Sequence, residues 1–132
     1  MEAKEKALAL HAQGFNCAQC VLCALGSYTG LDEKTALALA AGFGGGVRCG
    51  EICGAVSGAV MALGLADPWN DAQDTAGKAR ITKQTIALTK AFTQAHGCIR
   101  CVDLKRAGVP CDELIAWATA KGKDMLQNKE SI

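Results

Sequence analysis

The sequence predicts an all-α protein, a compact single-domain bundle of about five to six helices spanning residues 1–132. Three observations carry that expectation. No stretch of useful length alternates apolar and polar residues as a half-buried strand would. Residues 2–13 are charged and rich in alanine and leucine, a good helix by propensity. Glycine, or a capping Asn or Asp, punctuates the chain at intervals of helix length.

Residues 2–13 mix charges with alanine and leucine and predict a first helix, stopped by Gly14. Asn16 is an N-cap for a second helix from 17 to about 28, closed by Thr29-Gly30. Asp32 caps a third, from 33 to about 41. The run Gly42-Phe43-Gly44-Gly45-Gly46 is no comfortable helix interior, so the chain breaks there. A fourth helix is expected from about 50 to 64, with Asp67-Pro68-Trp69-Asn70 ending that block. Asp71 caps a long helix reaching about His96, with Gly97 as its stop. Residues 98–107 read as a short helical turn. Gly108-Val109-Pro110 breaks it, and the last helix runs from 111 to about 127. No second domain and no internal repeat is visible.

A chain of 132 residues suffices to bury a core without staples. Half of it is hydrophobic, 20% is charged and the formal net charge is +1, which argues against disorder, nucleic acid and anionic membranes. Two Trp, one Tyr and three Phe are too few for base-stacking platforms. Charges of both signs crowd Met1-Glu2-Ala3-Lys4-Glu5-Lys6 and no apolar segment follows, so no secretory signal is expected. The longest apolar stretch, 55–66, is short and interrupted by Ser57, Gly58 and Gly64, so no membrane insertion is expected. These features predict a cytoplasmic protein. Thiols stay reduced there, and cysteine at about 6% of the chain falls below the share that marks a disulfide scaffold.

The eight cysteines nevertheless cluster, as C-x2-C-x2-C (Cys17, Cys20, Cys23), C-x3-C (Cys49, Cys53) and C-x2-C-x9-C (Cys98, Cys101, Cys111). Grouped thiols hold metal, carry electrons or exchange disulfides. Cys49 and Cys53 are four apart and share a helical face if the fourth helix begins at or before Cys49. Cys17 and Cys20 also share a face, whereas Cys23 slips by about 60° for each step of three. Core packing is the plain alternative for any one of them, Cys23 above all, because free cysteine buries like a small hydrophobe. As filler for all eight positions it is a poor account.

Several neighbours could assist the thiols. His11 lies on the polar first helix and reads as a surface residue. His96 reads as a cation at the negative end of its helix, or as a contact to a metal centre. Arg48 and Arg100 adjoin cysteines, either to stabilise thiolate or as ordinary solvated side chains. Gly44, Gly45 and Gly46 form either a nest of N–H groups facing an anion or a flexible connector. They follow neither the Walker nor the Rossmann pattern. Gly50, Gly54 and Gly58 recur every four residues, leaving a stripe for tight helix packing, for a cofactor beside Cys53, or for the seam of a homodimer. No spacing suggests paired carboxylates or a Ser/His/Asp triad, so hydrolase chemistry has no support. Whether the protein is an enzyme stays open.

One series orders these pieces: Phe15-Asn16-Cys17-Ala18-Gln19, the glycine run 42–46, Gly50-Glu51-Ile52-Cys53-Gly54-Ala55-Val56-Ser57-Gly58, Cys101-Val102-Asp103-Leu104, and Cys111. Over about residues 14–127 it resembles the redox-active family named for a CGAxxG motif and four signature cysteines (the C_GCAxxG_C_C type). The resemblance carries those four onto Cys17, Cys53, Cys101 and Cys111. Cys101 is preferred to Cys98 for the Val102-Asp103-Leu104 that follows it. Cys20, Cys23, Cys49 and Cys98 are then additional thiols, which either pack or, for Cys20, Cys49 and Cys98, extend or add a metal site. The family is similar to the thiol-bearing domain of split-Soret cytochromes, which implies a non-haem iron centre. Covalent haem is not expected without C-x-x-C-H.

Three functions follow as expectations. The first is electron transfer by an iron–sulfur cluster on Cys17, Cys53, Cys101 and Cys111, with Gly44, Gly45, Gly46 and Gly54 around it and a redox partner that the sequence does not name. Such a cluster is of an unusual type, because the spacings match neither familiar ferredoxin pattern. The second is metal-free thiol–disulfide exchange by the same four thiols, two of which, Cys17 and Cys111, sit at predicted helix N-termini. The third is non-catalytic binding of zinc or Cu(I).

Overall fold

Residues 2–128, which the computed structural model describes, form eight α-helices: α1 (Ala3–Ala12), α2 (Cys17–Ala24), α3 (Gly26–Thr29), α4 (Glu33–Ala40), α5 (Gly54–Ala66), α6 (Thr75–His96), α7 (Cys101–Arg106) and α8 (Cys111–Gln127). The all-α expectation holds. The count exceeds five to six because α3 and α7 are short additions of four and six residues. Among the described residues there is no strand, only an isolated antiparallel bridge between Ile52 and Arg100.

Helix α2 is the central element. Its start is fixed as predicted by Asn16, whose Oδ1 accepts the Gln19 N–H at 3.0 Å while Gln19 Oε1 accepts the Asn16 N–H at 3.0 Å. That reciprocal pair satisfies two N–H groups a helix start leaves free. Ala18, Cys20, Val21, Leu22, Cys23 and Ala24 are all buried, so α2 is apolar around most of its circumference. Helices α1, α4, α5 and α8 surround it, and α6 lies outside against α5 and α8. The predicted helix over 17–28 breaks at Leu25 (φ −91°, ψ 15°), just before the poor helix former Gly26. Gly30, at φ +76°, ends the remnant α3.

Asp32 caps α4 as expected, accepting the Thr35 N–H at 3.2 Å. A single 3₁₀ turn, Ala41–Phe43, leads from α4 into the glycine run. Gly45, Gly46, Val47 and Arg48 then follow one another at φ 63°, 63°, 57° and 60°, a left-handed turn. A left-handed β-branched residue is uncommon, and each such non-glycine residue costs of order 1–3 kcal/mol. The turn is fastened at Ala41, whose carbonyl accepts from Asn16 Nδ2 at 3.0 Å and Arg48 Nη2 at 3.2 Å.

The fourth predicted helix does not begin near residue 50. Residues 51–53 run beside 99–101 instead: the Cys53 N–H donates to Ile99 O at 2.9 Å and the Cys101 N–H to Glu51 O at 2.6 Å. These non-local bonds hold the segment out of helix until Gly54, so Cys49 and Cys53 share no helical face and Gly50 lies off the glycine stripe. The remaining stripe has its packing role. A Cβ on Gly58 would stand 2.7 Å from Ala18 O, and one on Gly54 2.5 Å from Cys17 Sγ. The stripe faces α2 of the same chain, so it is not the seam of a homodimer.

Helix α6 starts at Thr75. Its cap is Asp74, accepting the Gly77 N–H at 2.8 Å, because Asp71 is engaged one turn earlier with the Gln73 N–H at 2.9 Å. Gly97, at φ +87°, stops it as predicted. Cys98 precedes α7 in extended chain, and Pro110 sets the start of α8. Leu114, Ile115 and Ala118 of α8 are buried, closing the core over α1 and α5. No described helix is long and apolar enough to cross a membrane.

Candidate functional site

Four helix starts meet at one place. Cys17 is the first residue of α2, Cys53 immediately precedes α5, Cys101 opens α7 and Cys111 opens α8. All four line a single cavity of about 150 Å³. Cys53 is buried, Cys17 and Cys101 are half-buried and Cys111 is exposed, so the cavity runs from the core to solvent.

Local structure explains why these four and not their neighbours. The Asn16 cap delivers Cys17 at the turn where N–H groups are free. Cys53 and Cys101 come together through the pairing of 51–53 with 99–101. Successive residues of extended chain face opposite ways, so Cys53 and Cys101 share one side and Ile52, Arg100 and Cys98 take the other. Ile52 and Arg100 are accordingly exposed, and Cys98 packs against the core away from the cavity.

The thiols differ in their electrostatics. Cys17 Sγ accepts from the Cys53 thiol first, and then from the N–H groups of Gly45, Ala18 and Cys17 itself; these donors outweigh burial and hold Cys17 well below the usual thiol range. Cys53 moves the other way, because its proton is held in the bond to Cys17 and because it is buried. Burial also raises Cys111; the charge of Cys17 adds to the rise and Lys105 opposes it. The cavity thus sets a Cys17 thiol that ionises readily beside Cys53 and Cys111 thiols that hold their protons.

The additional cysteines lie elsewhere. Cys20 donates to Phe15 O at 3.5 Å inside α2, and burial pushes its thiol up to about 12, with the neighbouring Cys17 and Cys23 adding to the rise. Cys23 is buried and raised for the same first reason. Cys49 is exposed on the left-handed turn, its thiol 3.4 Å from Gly46 O. Of the candidate glycines, Gly45 lines the cavity and turns its N–H to Cys17. Gly44 makes room for the Asn16 side chain, Gly46 for the Glu51 backbone and Gly54 for Cys17 Sγ.

Some lining residues were not read from the sequence. His11 was expected at the surface; its side chain is two-thirds buried at the end of α1, lines the cavity, and places Nδ1 2.5 Å from Asp112 Oδ1. Asn16 lines it as well as capping α2, and Lys105 is its cation, while Leu104, Val109 and Leu114 form an apolar wall. Arg100 is engaged with Glu51 at 2.9 Å and Asp103 at 3.6 Å, and Arg48 with Ala41 O. His96 is 6% exposed, packed against Phe92 and Trp117 with Nδ1 3.7 Å from Glu113 Oε2, and does not line the cavity. Among the described residues, no three His, Cys, Asp or Glu side chains stand close enough together to hold one ion.

The family model described as "Putative redox-active protein (C_GCAxxG_C_C)" matches residues 15–125, the span that contains all eight cysteines. No curated protein and no solved structure matches the chain.

Proposed function

Since the chain belongs to the redox-active C_GCAxxG_C_C family, we propose that it transfers electrons through an iron–sulfur cluster held by Cys17, Cys53, Cys101 and Cys111. The observation that carries this reading is the arrival of these four thiols, each at a helix start, on one cavity. Helix N-termini favour negative charge, and four thiolates around iron and sulfide are anionic. The donor set fits the group. A single zinc ion needs its sulfurs about 2.3 Å from one point, whereas a cluster distributes its ligands over several metal atoms.

When bound, such a cluster supplies one-electron chemistry. The chain's own residues do the rest. Cys17 ionises readily, and Cys53 and Cys111 release protons as they become ligands. The Gly45 N–H, directed at Cys17, favours added negative charge and so raises the potential. Leu104, Val109 and Leu114 limit water, and the exposed Cys111 side gives a redox partner its approach. The reading sets the protein in the cytoplasm, where its thiols stay reduced.

A second reading rests on the hydrogen bond between Cys53 and Cys17. Two such thiols can join as a disulfide, their two electrons and two protons passing to the disulfide of an exchange partner, which leaves as a dithiol. Anaerobic purification decides between them, with an absorption spectrum and assays of iron, acid-labile sulfide, zinc and copper. Brown protein with matched iron and sulfide is the expected result. Colourless, metal-free protein that cycles reversibly with dithiols would replace the cluster by the disulfide, and zinc or copper alone would replace both by a metal-binding role.

A further inference from the structure

Helix α6 differs from the rest of the chain in its charge. It carries four of the fourteen lysines and arginines and none of the thirteen aspartates and glutamates. Its buried residues, Gly77, Gln84, Leu88 and Phe92, form the side that packs on α5 and α8. Thr75, Ala79, Thr82 and Ile86 lie on the opposite side at spacings of four, three and four, one straight stripe along the helix. All four are exposed. Lys78 flanks the stripe on one side and Lys83 on the other, and the short side chains between the two lysine stems leave a shallow open groove. Lys90 extends the Lys83 side by two turns.

Packing of the core does not account for this face. Arg80 is engaged with Asp67 at 2.9 Å, whereas Lys83 and Lys90 have no ion-pair partner among the described residues. Ile86 is 48% exposed, and Trp69, 43% exposed, stands at the Lys78 wall with that ammonium 5.9 Å from its ring. An aromatic anchor inside a charged rim is the composition of a recognition surface.

Charge selects the occupant. A second copy of α6 on the same face would set lysine against lysine with no carboxylate between them. A membrane needs a broad apolar face to bury, and this one offers Ile86 with Trp69 at its edge. A straight stripe of three-and-four spacing is instead the surface on which another helix seats its side chains. We propose that this face of α6 docks an acidic amphipathic helix of a partner protein. Carboxylates of that helix meet Lys78, Lys83 and Lys90, and its apolar residues meet Ile86 and Trp69. No α6 residue lines the four-cysteine cavity, so the docking does not depend on what the cavity holds.

The test titrates the ¹⁵N-labelled full chain at low salt with a synthetic helical peptide bearing leucine and glutamate on one face. Parallel titrations use polyglutamate, duplex DNA and anionic phosphatidylglycerol vesicles. The helical peptide should shift the amides of 75–93 and the Trp69 indole, with an affinity that falls as salt rises. Lys83→Glu combined with Lys90→Glu should weaken binding by about tenfold or more. Ile86→Ser, which keeps every lysine, should weaken it by about fivefold. These positions are exposed, and unchanged shifts elsewhere will show that the fold is retained. Equal binding of polyglutamate would reduce the face to bare charge attraction and overturn the proposal. Tighter binding of the duplex or the vesicles would overturn it in favour of nucleic acid or membrane. Shifts centred elsewhere, or none along 75–93, overturn it outright. The wild-type titrations decide between these outcomes should a variant fold poorly.

Discussion

Replacing Cys53 by alanine isolates the contact that sets the chemistry of Cys17. The Cys53 thiol is the largest influence holding Cys17 below the usual thiol range; the N–H groups of Gly45, Ala18 and Cys17 act in the same direction, and burial acts against all of them. A hydrogen bond to a charged group contributes about 1.5–3 kcal/mol. At about 1.4 kcal/mol per pK unit, its loss should move the Cys17 titration up by roughly 1–2 units. Below the wild-type midpoint the thiolate fraction, and with it the alkylation rate, should fall by about 10- to 100-fold. The assay is iodoacetamide alkylation of reduced, metal-free protein across pH, resolved at Cys17 by mass spectrometry. Cys53→Ser keeps an O–H donor and should leave the profile near wild type. The same shift fixes a stability effect. With the folded value below the unfolded one, the Cys17 thiolate contributes stability that is complete above about pH 8.5 and is lost as pH falls through the folded value. A Cys53→Ala profile that coincides with wild type, or moves to lower pH, would refute the assignment of Cys53 as donor and Cys17 as thiolate.

Cys20 should behave in the opposite sense. Its folded value near 12 exceeds the unfolded value of about 8.5, so its contribution is complete below about pH 8.5 and is lost as pH rises, at up to about 1.4 kcal/mol per pH unit; Cys20→Ala should flatten that limb in urea titrations. Gly58→Ala and Gly64→Ala share a propensity gain of about 1 kcal/mol, but a Cβ at Gly58 meets Ala18 O at 2.7 Å and one at Gly64 meets nothing within 4 Å. Overpacking of about 1–3 kcal/mol should make Gly58→Ala the less stable of the two, and equal melting temperatures would contradict the close α2–α5 contact. Cys101→Ser should remove most bound iron and Cys98→Ser should not, and likewise Cys53→Ser against Cys23→Ser, as measured by iron content after anaerobic reconstitution; equal losses within either pair would undo the division into cavity and core thiols.

What was legible in the sequence was local. Asn16 and Asp32 cap α2 and α4, and Gly97 and Pro110 bound α6 and α8 where they were expected to, because a cap or a stop acts through its own few residues. What was hidden depends on remote partners. Residues 49–53 carry the spacing of a helix, but bonds to Ile99 and Cys101 draw them into extended chain. His11 reads as a polar helix residue, and only its meeting with Asp112, 101 positions away, brings it to the thiols. The choice of Cys101 over Cys98 rested on the residues that follow it; in the fold Cys101 lines the cavity, and Cys98 packs against the core.

The contrast within α2 shows what selects a working thiol in this fold. Cys17 and Cys20 are separated by less than one turn of a single helix, and both touch the same protein interior. Cys17 takes the Cys53 thiol first and, standing where the helix has N–H groups still unbonded, also gathers those of Gly45, Ala18 and its own backbone. Cys20 stands where the ladder has closed: its own N–H is already given to Asn16 O at 2.9 Å, and its sulfur donates to Phe15 O. Burial therefore acts on Cys20 almost unopposed and on Cys17 against several donors, so one is driven towards the thiol and the other towards the thiolate. Cys53, Cys101 and Cys111 occupy helix starts as Cys17 does, whereas Cys23 lies within α2 and Cys49 and Cys98 lie outside any α-helix. Position at a helix start, more than the C-x2-C spacing, separates the four cavity cysteines from the other four.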